Sequence, residues 1–404
     1  MSYIGKTPTP APLTSSDITD GIITTTKIAD ANVTNPKLIS GNQQNFRNII
    51  INGDMSIAQR GTSFSGIGDG GSQYTLDRFK WSEEGATDAA VYTITQSTTV
   101  PSGQGFAKSF KVDCTTADTS VDANNIQYVG TAIEGQNLQY LKYGTSSAEN
   151  MVLSFWVKSN KTGTYGVALI NNESTEKLYS QTYTILSADT WEKKTLSYVG
   201  DTSNGFDNDN GNSLLIQWYL VAGSGKTSGS SQTWGSNTQA NRAAGQTVNL
   251  ADSTANEWFI TGIQLEAGTT ASDFELLPFD VQLNRCKRYF EKSVQYSTTP
   301  ANGADSPTNG GANGWIAFNT SNIRTPSISF KCEKRATPSI VIYRGSNSTS
   351  GNMGWFNGSS WQDGGNTINK IRPKGFYGAY ESNSTFTQFS GYLMDFSWTA
   401  DSEL

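Results

Sequence analysis

The 404-residue sequence contains no histidine, and this absence excludes several kinds of catalytic and metal site. Histidine is the commonest general base and the commonest transition-metal ligand in proteins. Ser-His-Asp triads, Cys-His dyads and histidine-ligated zinc sites are therefore excluded. Glycoside cleavage needs only two carboxyl groups, so that chemistry stays open, although nothing in the sequence marks such a pair.

Cysteine and charge are also scarce. Three widely spaced cysteines, Cys114, Cys286 and Cys332, give neither a disulfide framework nor a metal-ligand pair. Charged residues make up only 16% of the chain, and the formal net charge is −6. Lys and Arg are scattered, whereas nucleic-acid binding requires a basic stripe. No apolar run approaches the roughly 18 residues of a membrane-spanning helix, and MSYIGKTP lacks a signal-peptide core. We therefore expect no nucleic-acid partner, no membrane insertion and synthesis in a cytoplasm.

Three tandem ten-residue units lie near the N-terminus: PLTSSDITDG (12–21), IITTTKIADA (22–31) and NVTNPKLISG (32–41). Their apolar residues recur every five residues, a spacing that fits neither a helix nor an alternating strand. Such units cannot form a core alone and are too few for a solenoid, so we expect copies of the chain to wind together into a stalk. The residues expected to be buried in that stalk are Leu13, Ile18, Ile23, Ile28, Val33 and Leu38. A disordered Thr-rich linker is the alternative.

The central part of the chain predicts antiparallel β structure. Proline, which is unwelcome in central strands, is absent from residues 102–277. Strand candidates separated by turn residues recur along this stretch. In one of them, Leu153, Phe155 and Val157 lie on the face opposite Val152, Ser154, Trp156 and Lys158. We expect a two-sheet sandwich with jelly-roll topology over residues 46–278. The tryptophans assigned to its structural core are Trp156, Trp218 and Trp258.

A short helix and a second β region follow. In FDVQLNRCKRYFEKS (279–293), Leu283, Cys286 and Phe290 recur at helical spacing, which predicts a helix that links two domains. Residues 294–404 contain short strand and turn candidates such as SIVIYRG, and predict a small C-terminal β-sandwich or knob. The predicted class is all-β, with an extended N-terminal anchor and stalk over residues 1–45.

Several motifs carry a resemblance to a known family. SYIGKTPTPAPLTSSDITDGIITTTKIADANVTNPKL resembles the N-terminal part of phage tail fibres, especially those of marine phages. Seven motifs then follow in order: INGDMSIAQRG, TLDRFKW, IEGQNLQYLKYGT, LSFWVKSNKTGTY, TWEKKTLSY, NRAAGQTVNLADSTANEWFITGIQLEAG and FELLPFDVQLNRCKRYFEKS. Together they resemble one block of phage and prophage tail-fibre proteins, similar in outline to jelly-roll carbohydrate-binding modules. KCEKRATPSIVIY (331–343) resembles the C-terminal domains that follow this block.

The resemblance implies a homotrimeric phage tail fibre or similar receptor-binding protein. Its N-terminal arm would attach to virion tail or adaptor proteins, and its distal part would bind a host surface glycan or protein without catalysis. Such a chain is made in the host cytoplasm, resides in the virion tail and acts at the host cell surface. Trimeric engagement would turn weak single sites into strong avidity. The alternatives are a virion-associated glycan depolymerase and a purely structural tail or capsid decoration protein.

Three motifs that resemble ligand-binding loops are interpreted as ordinary loops. GIGDGG (66–71) fits a dinucleotide-binding pattern, but a strand-like segment follows it where a helix is required. VAGSGKTS (221–228) lacks the first glycine of a phosphate-binding loop. DNDNGN (207–212) lacks the glycine and the closing glutamate of an EF-hand. We expect no cofactor and no metal, while a structural calcium with Asp54 among its ligands stays open, as in related jelly-roll modules.

The predicted binding site lies in the distal part of the chain. Sugars offer apolar C–H faces and hydroxyl rims, so their sites combine exposed aromatic rings with amide and carboxylate groups. GWFNGSSWQDGG (354–365) and FYGAYESN (376–383) have this composition, and their glycines allow sharp turns. The residues assigned to the site are Trp355, Asn357, Trp361, Asp363, Tyr377 and Tyr380. The alternative for the aromatic residues is a place in a core.

Overall fold

The computed structural model describes residues 46–68, 70–85, 89–230 and 232–304, followed by shorter stretches. These stretches are 312–316, 320, 323–324, 327–344, 353–356, 358–364, 367–368, 370–377, 379–381 and 386–404. By its contacts the chain divides into two units, residues 1–45 and 46–404. The fold described below is that of the second unit. The three repeats and the residues assigned to a stalk lie outside the described residues.

Thirteen strands of the first part of this unit form two antiparallel sheets. The strands are β1 Ser63–Gly68, β2 Ser72–Tyr74, β3 Lys80–Glu84, β4 Val91–Ser97, β5 Ser109–Thr116, β6 Ile126–Glu134, β7 Met151–Ser159, β8 Gly163–Asn171, β9 Lys177–Ile185, β10 Glu192–Tyr198, β11 Asn212–Ala222, β12 Gly235–Ser236 and β13 Glu257–Ala267. Sheet A has the order β1-β4-β5-β13-β7-β10, and sheet B has the order β12-β9-β8-β11-β6-β3-β2. The two sheets form a jelly-roll sandwich, so the predicted all-β class is confirmed.

An apolar core fills the space between the two sheets. Leu153 and Phe155 of β7 are fully buried in it, as their alternation predicts. Trp218 of β11 and Trp258 of β13 are also core residues. Trp156 does not belong to this core: it is half-buried, because neighbouring side chains of a strand point to opposite faces and Trp156 follows the inward-facing Phe155.

The predicted linking helix is present but shorter than expected. Helix α1 is the short turn Ser224–Thr227, and helix α2 runs over Phe279–Lys287, with Gln282 and Cys286 buried. The segment continues as strand β14, Phe290–Lys292, which pairs antiparallel with the last strand of the chain. The helical prediction is wrong over this second half, because long-range backbone pairing outweighs local spacing.

The C-terminal part consists of small antiparallel sheets. After β14 come β15 Ala312–Ile316, β16 Ile323–Arg324, β17 Ile328–Ser329, β18 Ser339–Tyr343, β19 Met353–Phe356, β20 Trp361–Gly364, β21 Thr367–Ile368, β22 Gly375–Phe376, β23 Ala379–Glu381, β24 Gly391–Asp395 and β25 Ser397–Asp401. The sheet orders are β14-β25-β18, β15-β24-β19-β20, β16-β23-β21 and β17-β22. A separate apolar cluster holds them together; its buried members are Ile323, Ile342, Met353, Trp355, Phe376, Phe386, Met394, Trp398 and Ala400.

A buried charge network fixes the end of the chain to the first sandwich. Arg60 lies 2.9 Å from Asp401 and 3.3 Å from Glu403. Arg78, which is 2% exposed, pairs with the other carboxylate oxygen of Glu403 and lies 3.4 Å from the centre of the Tyr289 ring. These pairs span more than 300 residues of sequence, and residues 46–404 form one contact unit. The predicted domain boundaries at 278 and 293 stay predictions.

All three cysteines are free thiols. Cys114 and Cys286 are buried and free, and Cys332 is free and half-buried. Burial raises the pKa of the Cys114 thiol to about 11, so it stays protonated at neutral pH.

Among the described residues, no helix is long and apolar enough to cross a bilayer.

Candidate functional site

Trp355, the first residue assigned to the distal site, lies in the core of the C-terminal part. It belongs to β19, which pairs with β20 on one side and β24 on the other. Its ring centre is 4.8 Å from that of Phe386 and 5.6 Å from that of Tyr392, and the residue is only 7% exposed. The expectation of an exposed Trp355 ring is wrong, because the inner position of β19 directs this side chain into the apolar cluster.

Of the other residues assigned to that site, one is half-buried, one is exposed and three are not fully described. Trp361 is half-buried, with its ring centre 5.5 Å from that of Phe356. Tyr377 is 52% exposed, and the Nζ of Lys370 lies 5.4 Å from its ring centre. The structure does not describe Asn357, nor the side chains of Asp363 and Tyr380. The assignment of a ligand site to these loops stays a prediction.

The outer face of sheet B is covered by a segment that sequence reasoning interpreted as loop. We call residues 223–246 the strap; it contains helix α1 (Ser224–Thr227), β12 and a 3-10 turn at Gln239–Asn241. Lys226, from the Gly-Lys-Thr motif, donates a hydrogen bond to Gln239 within the strap. Beneath the strap, Ala243 packs in an apolar cluster with residues of sheet B: Ile126, Tyr128, Ala168, Ile170, Leu178 and Tyr219.

A polar network anchors the strap to sheet B. The guanidinium group of Arg242 donates to Glu84 and, at 2.8 Å, to the side-chain oxygen of Gln217. The hydroxyl of Tyr128 also donates to Glu84, and that of Tyr219 donates to Gln217 at 2.8 Å. Burial alone would raise the pKa of Glu84, but the hydrogen bond and charge of Arg242 outweigh it and lower that pKa. The network therefore holds Glu84 ionised and the strap in place.

A cavity of about 550 Å³ lies between the strap and β9. Its lining includes Ser180 and Thr182 from β9, and Ser230, Gln232 and Asn241 from the strap. Asn241 accepts hydrogen bonds from two other lining residues, one on each side of the cavity. The Ser180 hydroxyl donates to the Asn241 carbonyl at 2.7 Å, and the Ser230 N–H donates to the Asn241 side-chain oxygen at 3.1 Å.

The chemistry of this cavity is that of neutral hydrogen-bonding groups. Its described lining residues carry hydroxyls, amides and backbone groups, and none of them carries a charge. Hydroxyl and amide groups match the hydroxyl rims of sugars. Because the described lining offers no carboxyl, imidazole or amine, it supplies no general acid or base for cleavage. The arrangement is suited to binding a neutral polar ligand.

Sequence reasoning missed this cavity. Its two sides come from a strand and from a segment about fifty residues later, so no local motif contains both. The available signal was the composition of SGSSQTWGSNTQ (228–239), which is uncharged and rich in hydroxyl and amide groups.

The residues discussed as calcium ligands make local hydrogen bonds. The Asp54 side chain accepts from the N–H and hydroxyl of Ser56, and burial raises the pKa of Asp54. Asp209 accepts from the N–H of Gly211 at 2.8 Å, as in an Asx turn. Within the part of the chain that the structure describes, no group of three or more Cys, Asp or Glu side chains is arranged to hold a metal ion.

No protein-family model and no curated protein matches this chain. The enzymatically active domain of tailspike protein 4 from bacteriophage CBA120 is similar at 12% identity and a TM-score of 0.30, over 55% of this chain and 22% of that chain. A family 4 carbohydrate-binding module is similar at 12% identity and a TM-score of 0.28, over 54% of this chain and 98% of that one. A family 11 carbohydrate-binding module of a Clostridium thermocellum cellulosomal cellulase is similar at 10% identity and a TM-score of 0.25, over 52% of this chain and 97% of that one.

Proposed function

We propose that this chain is a phage tail fibre protein that binds a host surface glycan without cleaving it. The neutral cavity between the strap and β9 carries the glycan-binding part of the proposal. It is lined by hydroxyl and amide groups, and its 550 Å³ volume lies within the roughly 300–1,000 Å³ that is typical of ligand pockets. The seven motifs that follow one another between residues 46 and 293 support the tail-fibre part, because together they resemble one block of tail-fibre proteins.

The same proposal includes assembly and location. Three copies of the chain would wind together through the repeats of residues 12–41, and the arm before them would attach to virion tail or adaptor proteins. The protein would act in the virion tail at the host cell surface. Three cavities in one trimer would engage a repeating polysaccharide together, so weak single contacts would suffice for strong attachment.

The test is binding of the full-length protein to a panel of immobilised bacterial lipopolysaccharides and capsular polysaccharides. Gln232→Ala combined with Thr233→Ala removes two exposed polar side chains that line the cavity. Ser236→Ala combined with Thr238→Ala is the matched control, because both residues are exposed on the same strap outside the lining. We expect the first variant to lose binding to a recognised polysaccharide, and the control to retain it.

Three results would contradict the proposal in different ways. If no polysaccharide in the panel binds, a purely structural virion protein is favoured. If new reducing ends accumulate during incubation, the protein is a depolymerase. If the cavity variant binds as well as its control, the binding site lies elsewhere on the surface.

A further inference from the structure

A second cavity, of about 310 Å³, lies beside helix α2. Three segments that are far apart in sequence form it. Phe46 and Ile51 come from the start of the described chain, Asn137 and Tyr140 from the 3-10 turns after β6, and Arg285 from α2. In contrast to the cavity under the strap, this one combines aromatic rings, an amide and cationic groups.

The two arginines of this cavity differ in their partners. Arg288 makes two hydrogen bonds of 2.7 and 2.6 Å to the carboxylate of Glu134, so its charge is already compensated. Among the described residues, no carboxylate lies within ion-pair distance of Arg285, and its Nη1 atom is buried without a hydrogen-bond partner. Because Arg285 lines the cavity, an anion bound there would supply the counter-charge that no described carboxylate places within ion-pair distance.

Glu275 is the acidic side chain that acts on Arg285, and it makes its own hydrogen bonds to the backbone. Glu275 interacts with Arg285 electrostatically, but its two carboxylate oxygens accept hydrogen bonds from the backbone N–H groups of Phe46 and Asn48. Burial and the nearby charge of Arg78 lower the pKa of Arg285, against the opposing influence of Cys286, Tyr289 and Glu275. The guanidinium remains charged at neutral pH, since arginine is not deprotonated in proteins.

The rim of the cavity carries two exposed aromatic rings. Phe46 is 63% exposed and Tyr140 is 49% exposed. Exposed aromatic faces beside polar groups are a common feature of sugar-binding surfaces, because the C–H face of a pyranose stacks on them. The Asn137 side chain adds an amide that can pair with a hydroxyl.

We propose that this cavity binds an anionic sugar residue, whose carboxylate or sulfate pairs with Arg285 while its C–H face packs on Tyr140 and Phe46. The inference rests on the proposed function in one respect, that the protein binds host glycans, and it names the chemical class of one such glycan. A planar guanidinium pairs with an oxyanion through two parallel hydrogen bonds, which favours carboxylate or sulfate over a neutral hydroxyl. The volume lies near the lower end of the usual pocket range, which suits one or two sugar units.

The experiment is a calorimetric titration of the full-length protein with trigalacturonic acid, a sulfated galactotriose and neutral galactotriose. We expect at least one anionic probe to bind and the neutral one not to bind. The two anionic probes separate carboxylate from sulfate recognition. Arg285→Gln should weaken binding by roughly tenfold or more, because a charge-assisted bidentate contact is lost. Arg372→Gln, on an exposed arginine outside the cavity, makes the same change in net charge and should leave binding unchanged.

Tyr140 provides a second variant pair that does not touch the helix. Tyr140→Phe keeps the ring and should keep binding, whereas Tyr140→Ala should weaken it with little change in melting temperature, because the residue is half exposed. The inference fails if neither anionic probe binds, if galactotriose binds equally well, or if Arg285→Gln and Arg372→Gln behave alike. Such a failure leaves the proposed function standing when the polysaccharide panel still shows binding that depends on Gln232 and Thr233.

Discussion

Replacing Glu403 should destabilise the folded unit far more than its place near the end of the chain suggests. Its carboxylate lies 3.3 Å from Arg60 and also pairs with Arg78. The side chains of Arg78 and Glu403 are 2% and 3% exposed. Glu403→Gln therefore removes a negative charge that both buried guanidinium groups contact, while keeping the shape of the side chain.

The size of the effect follows from what each arginine retains. Arg60 keeps Asp401 at 2.9 Å, and Arg78 keeps the carbonyl of Ala132 and the ring of Tyr289. Breaking a buried ion pair by removing one partner costs about 3–5 kcal/mol, and these retained contacts favour the lower end of that range. A loss of roughly 3 kcal/mol corresponds to a fall of roughly 6 °C in melting temperature for a large domain.

The measurement is urea and thermal unfolding followed by circular dichroism. Glu333→Gln is the matched control: it makes the same chemical change in a pair with Lys374 at 3.7 Å, whose side chains are 56% and 80% exposed. Such surface pairs contribute at most about 1 kcal/mol. If the two variants unfold within roughly 0.5 kcal/mol of each other, the buried network does not stabilise the fold and the reasoning is refuted.

Three further predictions concern other parts of the chain. Trp355→Ala should cost about 3–5 kcal/mol of unfolding free energy because its ring fills the C-terminal core, whereas Trp361→Ala should cost clearly less; equal losses would contradict their different burial. Burial would raise the pKa of Glu134, but hydrogen bonds from Arg288 lower it below the ordinary 4.5, so this pair stabilises the fold above that pH and the stabilisation is lost as pH falls further. Acid unfolding of Glu134→Gln should therefore depend less on pH than that of the unmodified protein, and parallel curves would contradict this. Light scattering should show a trimer that is lost when the apolar positions Ile18, Ile28 and Leu38 become Asp; an unchanged mass and shape would refute the stalk.

Local sequence patterns predicted the fold where each residue depends mainly on its strand neighbours. The alternation in LSFWVKSN placed Leu153 and Phe155 on one face of a strand, and both lie in the core. The proline-free stretch 102–277 contains strands β5 to β13. The same reasoning failed at Phe290, where helical spacing was real but the backbone pairs with residues 399–401. A strand partner more than a hundred residues away leaves no trace in a local window, so this error could not be avoided from spacing alone.

The candidate sites show why composition identifies binding residues less well than it identifies strands. Trp355 has the sequence context of an exposed aromatic residue in a loop. Because β19 pairs with a strand on each side, its ring instead points into the apolar core of the C-terminal part. Phe46 and Tyr140 have no distinctive local context, yet the fold leaves both exposed beside Arg285. In each case the deciding quantity is the set of neighbours that tertiary structure supplies. A charged or aromatic side chain becomes available to a ligand when the protein supplies too few partners for it. Beside Arg285, Glu275 contributes a negative charge, but its carboxylate oxygens accept hydrogen bonds from the backbone N–H groups of Phe46 and Asn48.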